Sequence, residues 1–130
     1  MKKQIVKVLT IVFVVACLTV CVSAARVTAS NSTYKMSAVA AMSDVSGEAT
    51  TQTSKLSDST VYSFNAYVAA YASDGSYNSD SKTRYAVGDI MAVATAPGSG
   101  TPYRAYCQSY FKPESDSSSI YLINRYVNAG

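Results

Sequence analysis

Histidine is absent from the 130 residues, and that absence narrows the available chemistry before any fold is considered. It removes the commonest general base and metal ligand, and with them every Ser-His and Cys-His nucleophile arrangement. Ser79-Asp80-Ser81-Lys82 fits the Ser-x-x-Lys pattern of penicillin-binding enzymes, but that pattern needs a helix in a larger α/β domain and two further motifs that this chain lacks. Asp74, Ser76, Asn78 and Asp80 offer oxygens at every second position, as calcium loops do. The sixth position is Ser79 instead of glycine, however, and the twelfth is Tyr85 instead of a bidentate carboxylate. Pro97-Gly98-Ser99-Gly100 opens no helix and so forms no phosphate cradle. The acidic residues are scattered through turn-like segments, where turn formation accounts for them more simply than a glycosidase pair does. The reading is a non-enzymatic chain with no catalytic residue, no metal site and no cofactor.

What the chain does carry in quantity is tyrosine, eleven residues without one tryptophan. Arg104, Tyr106, Gln108, Tyr110 and Lys112 fall at alternate positions and form an outward row of flat rings, amide and cationic tips. Tyr67 and Tyr71 extend it from a neighbouring strand. Such a mixture is the chemistry of adaptable binding surfaces. Tyrosine is also an ordinary strand residue stabilised by cross-strand pairing.

These residues need strands to position them. Tyr103, Ala105, Cys107, Ser109 and Phe111 share the face opposite the row, which predicts a half-buried strand. Tyr103, Tyr106, Cys107, Tyr110 and Phe111 also fit a helical stripe, with Thr101 as N-cap and Pro102 at the first helical position. The aromatic composition decides for a strand. Before it, the breaker loop Ala96-Pro97-Gly98-Ser99-Gly100-Thr101-Pro102 separates a second strand-like run starting near Arg84. The pair reads as a hairpin, with Gly88-Asp89 a bulge that moves the inward set from Tyr85 and Val87 to Ile90, Ala92 and Ala94.

Further strands are expected on either side. Tyr34, Met36, Ala38, Ala40 and Met42 alternate with Lys35, Ser37, Val39, Ala41 and Ser43, giving a narrow, alanine-lined inner face. Ala49 to Leu56 is threonine-rich and reads as an edge strand or exposed linker. From Val61 to Ala72, Tyr62, Phe64, Ala66, Val68, Ala70 and Ala72 oppose Ser63, Asn65, Tyr67, Ala69 and Tyr71, although alanine there suits a helix equally. Residues 73 to 81 read as a loop, and Ile120 to Val127 as a last strand, apolar on both faces and suited to the sheet centre or to a place between layers. The sum is an all-β domain, a small antiparallel β-sandwich or barrel of five to seven strands.

The N-terminus carries a different signal. A basic start at Lys2 and Lys3, an apolar run from Val8 to Val22 and small residues at Ser23, Ala24 and Ala25 have the pattern of a cleaved bacterial signal peptide. The apolar run is about 15 residues, short of the roughly 20 that span a bilayer. The expected organisation is a signal peptide over 1–25, a flexible segment over 26–33 and one all-β domain over 34–130, secreted and extracellular. Val14-Val15-Ala16-Cys17 has the order of a lipoprotein signal, so the membrane enters only if Cys17 is lipidated and anchors the domain. Cys17 and Cys21 fall inside the signal, leaving Cys107 as the one cysteine beyond it. Its inward position favours a core role over intermolecular pairing. Removing Lys2, Lys3 and Lys7 from eleven basic residues leaves eight, against eight acidic. This near-neutral balance gives no footprint for nucleic acid.

One family comparison can be made from the residues. Ala66-Tyr67 and Tyr71 before a polar loop, Ser81-Lys82-Thr83, Ala92-Val93-Ala94-Thr95 and the aromatic ending Tyr106 to Tyr110-Phe111 resemble the lactococcin-type bacteriocins. These are small secreted β-sandwich proteins that act on Gram-positive cell-wall synthesis through its lipid-linked precursor. The resemblance covers residues 66–111, and the family's tryptophan and histidine residues have no counterpart here, so no functional residue is carried over. The sequence thus points to a protein that binds a cell-envelope component, a glycan or another protein through its tyrosine-rich face. A bacteriocin-like toxin and a structural or self-associating protein, joined through strand edges or Cys107, are the alternatives.

Overall fold

The computed structural model describes residues 24–43, 46–98, 103–115 and 118–128. Eight strands run in order: β1 (Ala24–Asn31), β2 (Met36–Ser43), β3 (Glu48–Lys55), β4 (Val61–Tyr71), β5 (Tyr77–Arg84), β6 (Gly88–Thr95), β7 (Arg104–Pro113) and β8 (Ile120–Asn128). They form two open antiparallel sheets, β1-β2-β3-β6 and β5-β4-β7-β8, and no helix occurs among the described residues. The all-β expectation holds, in the form of a two-layer sandwich and not a closed barrel. Eight strands exceed the five to seven expected.

The core follows from inner faces of unusually small residues. Ala38, Ala40, Ala49, Ala66, Ala70, Ala92 and Ala105 are buried together with Met42, Val68, Cys107, Ile123 and Val127. Alanine adds no side-chain entropy cost on burial and lets two pleated layers close tightly. At one end a second cluster gathers Met36, Val61, Phe64 and Phe111, with the Tyr34 ring 5.3 Å from that of Phe111. At the other end Tyr103 caps the core beside Gly47, where a Cβ would lie 3.1 Å from the tyrosine ring and φ is +72°. Glycine is required there on both counts.

Polar residues of β3 enter this interface, and Thr53 is hydrogen-bonded within it. Thr53 Oγ1 donates to the Asn65 carbonyl at 2.8 Å and, having spent its one proton, accepts from Ser109 Oγ at 2.5 Å. The relay ties β3 of the first sheet to β4 and β7 of the second. Thr51 faces the buried Cys107 thiol, whose pKa burial raises and the threonine hydroxyl opposes. Cys107 takes the core role expected of it. Because it is fully buried, a disulfide-joined dimer would require the sandwich to open.

Several expectations are corrected. The Ala49–Leu56 run is no edge or linker: β3 lies centrally between β2 and β6, with Thr50 to Thr53 buried on both faces. The run fits because the facing residues are small and because Thr53 is hydrogen-bonded to the Asn65 carbonyl and Ser109. The segment 26–33 is not a flexible lead-in but mostly strand β1, with Ala25, Val27 and Ala29 packed on the core. Residues 73–81 are not all loop. The turn ends at Ser76, whose N–H and hydroxyl bond Asp74, and Tyr77 opens β5 along β4.

The hairpin expected over Tyr85–Phe111 does not form. β6 pairs with β3, whereas β7 pairs with β4 and β8, so the breaker loop crosses between sheets. Tyr85 and Val87 are exposed because 85–87 is the passage from β5 to β6, held by Arg84 donating to the Ala86 and Val87 carbonyls. Tyr62 is also exposed, since the β4–β7 register shifts between Val61 and Ser63. The last strand, expected centrally or between layers, is the edge strand β8. Lys55 closes the same end of the sandwich as Tyr62, donating to the carbonyls of Val61 and Tyr85. Residues 1–23 of the expected signal peptide, with Cys17 and Cys21, lie outside the described residues, as do Thr101 and Pro102.

One side of the sandwich is closed by side chains. β5 and β6 are edge strands of different sheets, and Asp80 accepts from the Val93 N–H at 3.0 Å while Asn78 donates to the Thr95 carbonyl at 2.8 Å. These side chains occupy backbone groups of β6 that an edge would otherwise leave free to pair with another chain. The bond from Val93, ahead of the Lys82 contact, holds the Asp80 carboxyl below its usual value. A depressed carboxylate stabilises above its unfolded pKa of about 3.9 and ceases to as pH falls through the lower folded value. Asp80→Ala is therefore expected to speed Val93 amide exchange at neutral pH. Wild type should approach that behaviour only well below pH ~4, after correction for intrinsic exchange.

The relay gives a second test. Thr53→Val keeps the shape and leaves the buried Ser109 hydroxyl without this partner, which is expected to cost about 1–3 kcal/mol in urea unfolding. Adding Ser109→Ala should recover part of that loss. Strictly additive losses would show that the hydroxyls do not interact.

Candidate binding face

Alternation along β4 and β7 decides which side chains leave the core. On β4, Asn65, Tyr67, Ala69 and Tyr71 face away from the other sheet; on β7, Arg104, Tyr106, Gln108, Tyr110 and Lys112 do. The register sets Tyr71 opposite Arg104, Ala69 opposite Tyr106, Tyr67 opposite Gln108 and Asn65 opposite Tyr110. All seven residues read from the sequence as a binding row thus share the outer face of one sheet, with Lys112 exposed at its far end.

Both flanking strands widen the face. From β5, Tyr77 stands opposite Tyr71, followed by Ser79, Ser81 and Thr83. From β8, Tyr126 stands opposite Tyr106, Asn124 opposite Gln108 and Tyr121 opposite Tyr110. Tyr121 and Tyr126 are of opposite parity in the sequence, and both face outward because the β7–β8 register skips Leu122. That irregularity hid them in the sequence, where the strand reads as apolar on both sides. Tyr77 was hidden by its serine- and aspartate-rich surroundings.

Six of the seven outward rings meet one another. Tyr71 and Tyr77 have centroids 5.0 Å apart, Tyr106 and Tyr126 4.9 Å, and Tyr110 and Tyr121 5.1 Å, all tilted. Tyr71 and Tyr126 approach to 6.3 Å. The Arg104 guanidinium lies over both of them, 5.4 Å from the Tyr71 centroid and 4.9 Å from that of Tyr126. Each ring pair of this kind contributes about 0.5–1.5 kcal/mol beyond burial, and each exposed cation–ring contact about 0.5–1 kcal/mol. The rings therefore hold one another in place before any ligand arrives. Ala69 is fully buried although it faces outward, so the larger side chains around it close over the centre.

A polar cluster sits beside the rings. Tyr106 donates its phenolic proton to Asn124 Oδ1, and Gln108 Nε2 donates to Asn124 Oδ1 at 3.2 Å and to the Tyr106 oxygen at 3.4 Å. The Tyr71 phenol has its pKa raised, by partial desolvation first and then by Tyr126, Tyr67 and Tyr77, with Arg104 opposing. It stays neutral and able to donate at physiological pH. The face offers flat rings, amides, hydroxyls and two cations; none of its strand positions carries a carboxylate or a thiol.

The oxygens of Asp74, Ser76, Asn78 and Asp80 do not converge. Asp74 is engaged by Ser76 in the turn, whereas Asn78 and Asp80 reach to β6. No model of a known protein family matches the chain, and no curated protein matches it either.

The contact that orders the rings can be measured alone. A double-mutant cycle on Arg104→Ala and Tyr126→Ala is expected to return a coupling of about 0.5–1 kcal/mol in unfolding free energy. A coupling of zero would mean that Arg104 does not hold the Tyr126 ring.

Proposed function

We propose that this is a small secreted bacterial β-sandwich protein, non-enzymatic, that binds a cell-envelope component, a glycan foremost, through the outer face of the sheet β5-β4-β7-β8. The observation that carries the reading is the set of seven tyrosines on one sheet face, six of them in ring contact, with Arg104 over Tyr71 and Tyr126 and the amides of Gln108 and Asn124 beside them. Pre-stacked rings lose little conformational entropy on binding, which is the main cost of recognition by flexible side chains. Export is supported by the basic, apolar and small-residue order of residues 1–25. Contact as the mode of action is supported by a sequence without histidine.

The test is co-sedimentation with purified bacterial cell walls. Wild type is expected to sediment with them, and Tyr106→Ala with Tyr126→Ala to lose about tenfold or more in affinity, since truncating buried aromatic anchors typically costs 1–3 kcal/mol or more. Tyr62→Ala, at a tyrosine outside the face, should bind as wild type. Equal binding by all three proteins would overturn the reading.

A further inference from the structure

Arg104 is exposed, and its recorded contacts are with the faces of Tyr71 and Tyr126. Ring contacts engage a guanidinium without using its N–H donors, which lie in its own plane and match a carboxylate in a two-point fork. Among the described residues the ion pair that does form is Lys82 with Asp80 at 3.3 Å, and no carboxylate reaches Arg104. The outward strand positions of this sheet hold two cations, Arg104 and Lys112, and no acid. Asp74, in the turn next to Tyr71 and Tyr77, has its carboxylate occupied by Ser76. Among the described strand positions the face is therefore cationic, and Arg104 has no acidic partner there.

From these observations we infer that the face binds an acidic polysaccharide, with a sugar carboxylate seated on Arg104 between Tyr71 and Tyr126. The inference rests on the binding reading above and names its ligand. A pyranose ring has C–H faces that lie on aromatic rings and a rim of hydroxyls that bond to amides and phenols. Tyr106, Gln108 and Asn124 supply those polar partners beside the ring cluster. The outward positions carry no aliphatic side chain larger than Ala69, so flat rings and polar tips make up the face. Arg104 and Lys112 are eight residues apart on one strand, about 26 Å at roughly 3.3 Å per residue. That spacing suits a chain with repeated acidic units better than a single sugar.

Titration calorimetry with polygalacturonate, its methyl-esterified form and poly(glycerol phosphate) separates the cases. Polygalacturonate is expected to bind wild type about tenfold to a hundredfold more tightly than the ester, the range for a charge-assisted hydrogen-bonded contact. Arg104→Gln should remove that preference, and Arg104→Lys, with the charge but without the fork, should keep part of it. Equal binding of acid and ester, with cell-wall binding still dependent on Tyr106 and Tyr126, would overturn the acidic-glycan inference and leave the binding face intact. Tighter binding of poly(glycerol phosphate) than of polygalacturonate would overturn the carboxylate assignment. Absence of any glycan binding, together with cell-wall sedimentation indifferent to Tyr106 and Tyr126, would remove both.

Discussion

The two sheets meet largely through small side chains, alanine above all. Alanine pairs such as Ala70 with Ala105, and Ala49 with Ala94, occupy neighbouring strands along the inner faces. Close approach trades the burial of large side chains, worth about 1.5–3 kcal/mol each, for dense contact between layers. It also admits hydroxyls, at lowest cost where each has a partner, since an unpaired buried polar group costs about 1–3 kcal/mol. Thr53, Ser109 and the Asn65 carbonyl meet that condition across the interface. Phe64 and Phe111 gather with Met36 and Val61 in a separate cluster at one end.

The same constraint accounts for the exterior. Tyrosines at outward positions have no room on the other side of the sheet and stack on one another instead. Tyr71, Tyr77, Tyr106 and Tyr126 with Arg104 form a continuous cluster across four strands. An exposed aromatic face is costly in water unless it is partly self-covering, and the stacking provides that cover. The contacts that support the fold therefore also order the outer surface of this sheet. Proteins that work by enclosing a substrate follow a different logic, in which the inner volume is the functional one.

Much of this was legible in the sequence because period-two alternation is a direct image of a strand's two faces. Tyr103 to Lys112 separated cleanly into core and surface, and so did Met36 to Met42. The threonine-rich β3 was misjudged because threonine is polar by type, and its burial depends on Ser109 and Asn65, far away in the chain. β5 was missed because Asn78, Ser79 and Asp80 read as turn residues, whereas two of them work as side-chain bridges to β6. The false hairpin over Tyr85–Phe111 shows the limit most clearly. A breaker loop reveals that the chain turns, but not whether the next strand returns to the same sheet. Tyr121 and Tyr126 could not be placed on one face without the skipped register at Leu122.

The most direct test of this architecture is the unfolding free energy of Ala105→Leu, at a fully buried inner position facing Ala70 along β4. With the layers in close contact, the three added carbons have nowhere to go, and the substitution should cost about 1–3 kcal/mol or more. A neutral or stabilising result would mean that space remains between the sheets, and the account of a tightly closed, small-residue interior would be wrong.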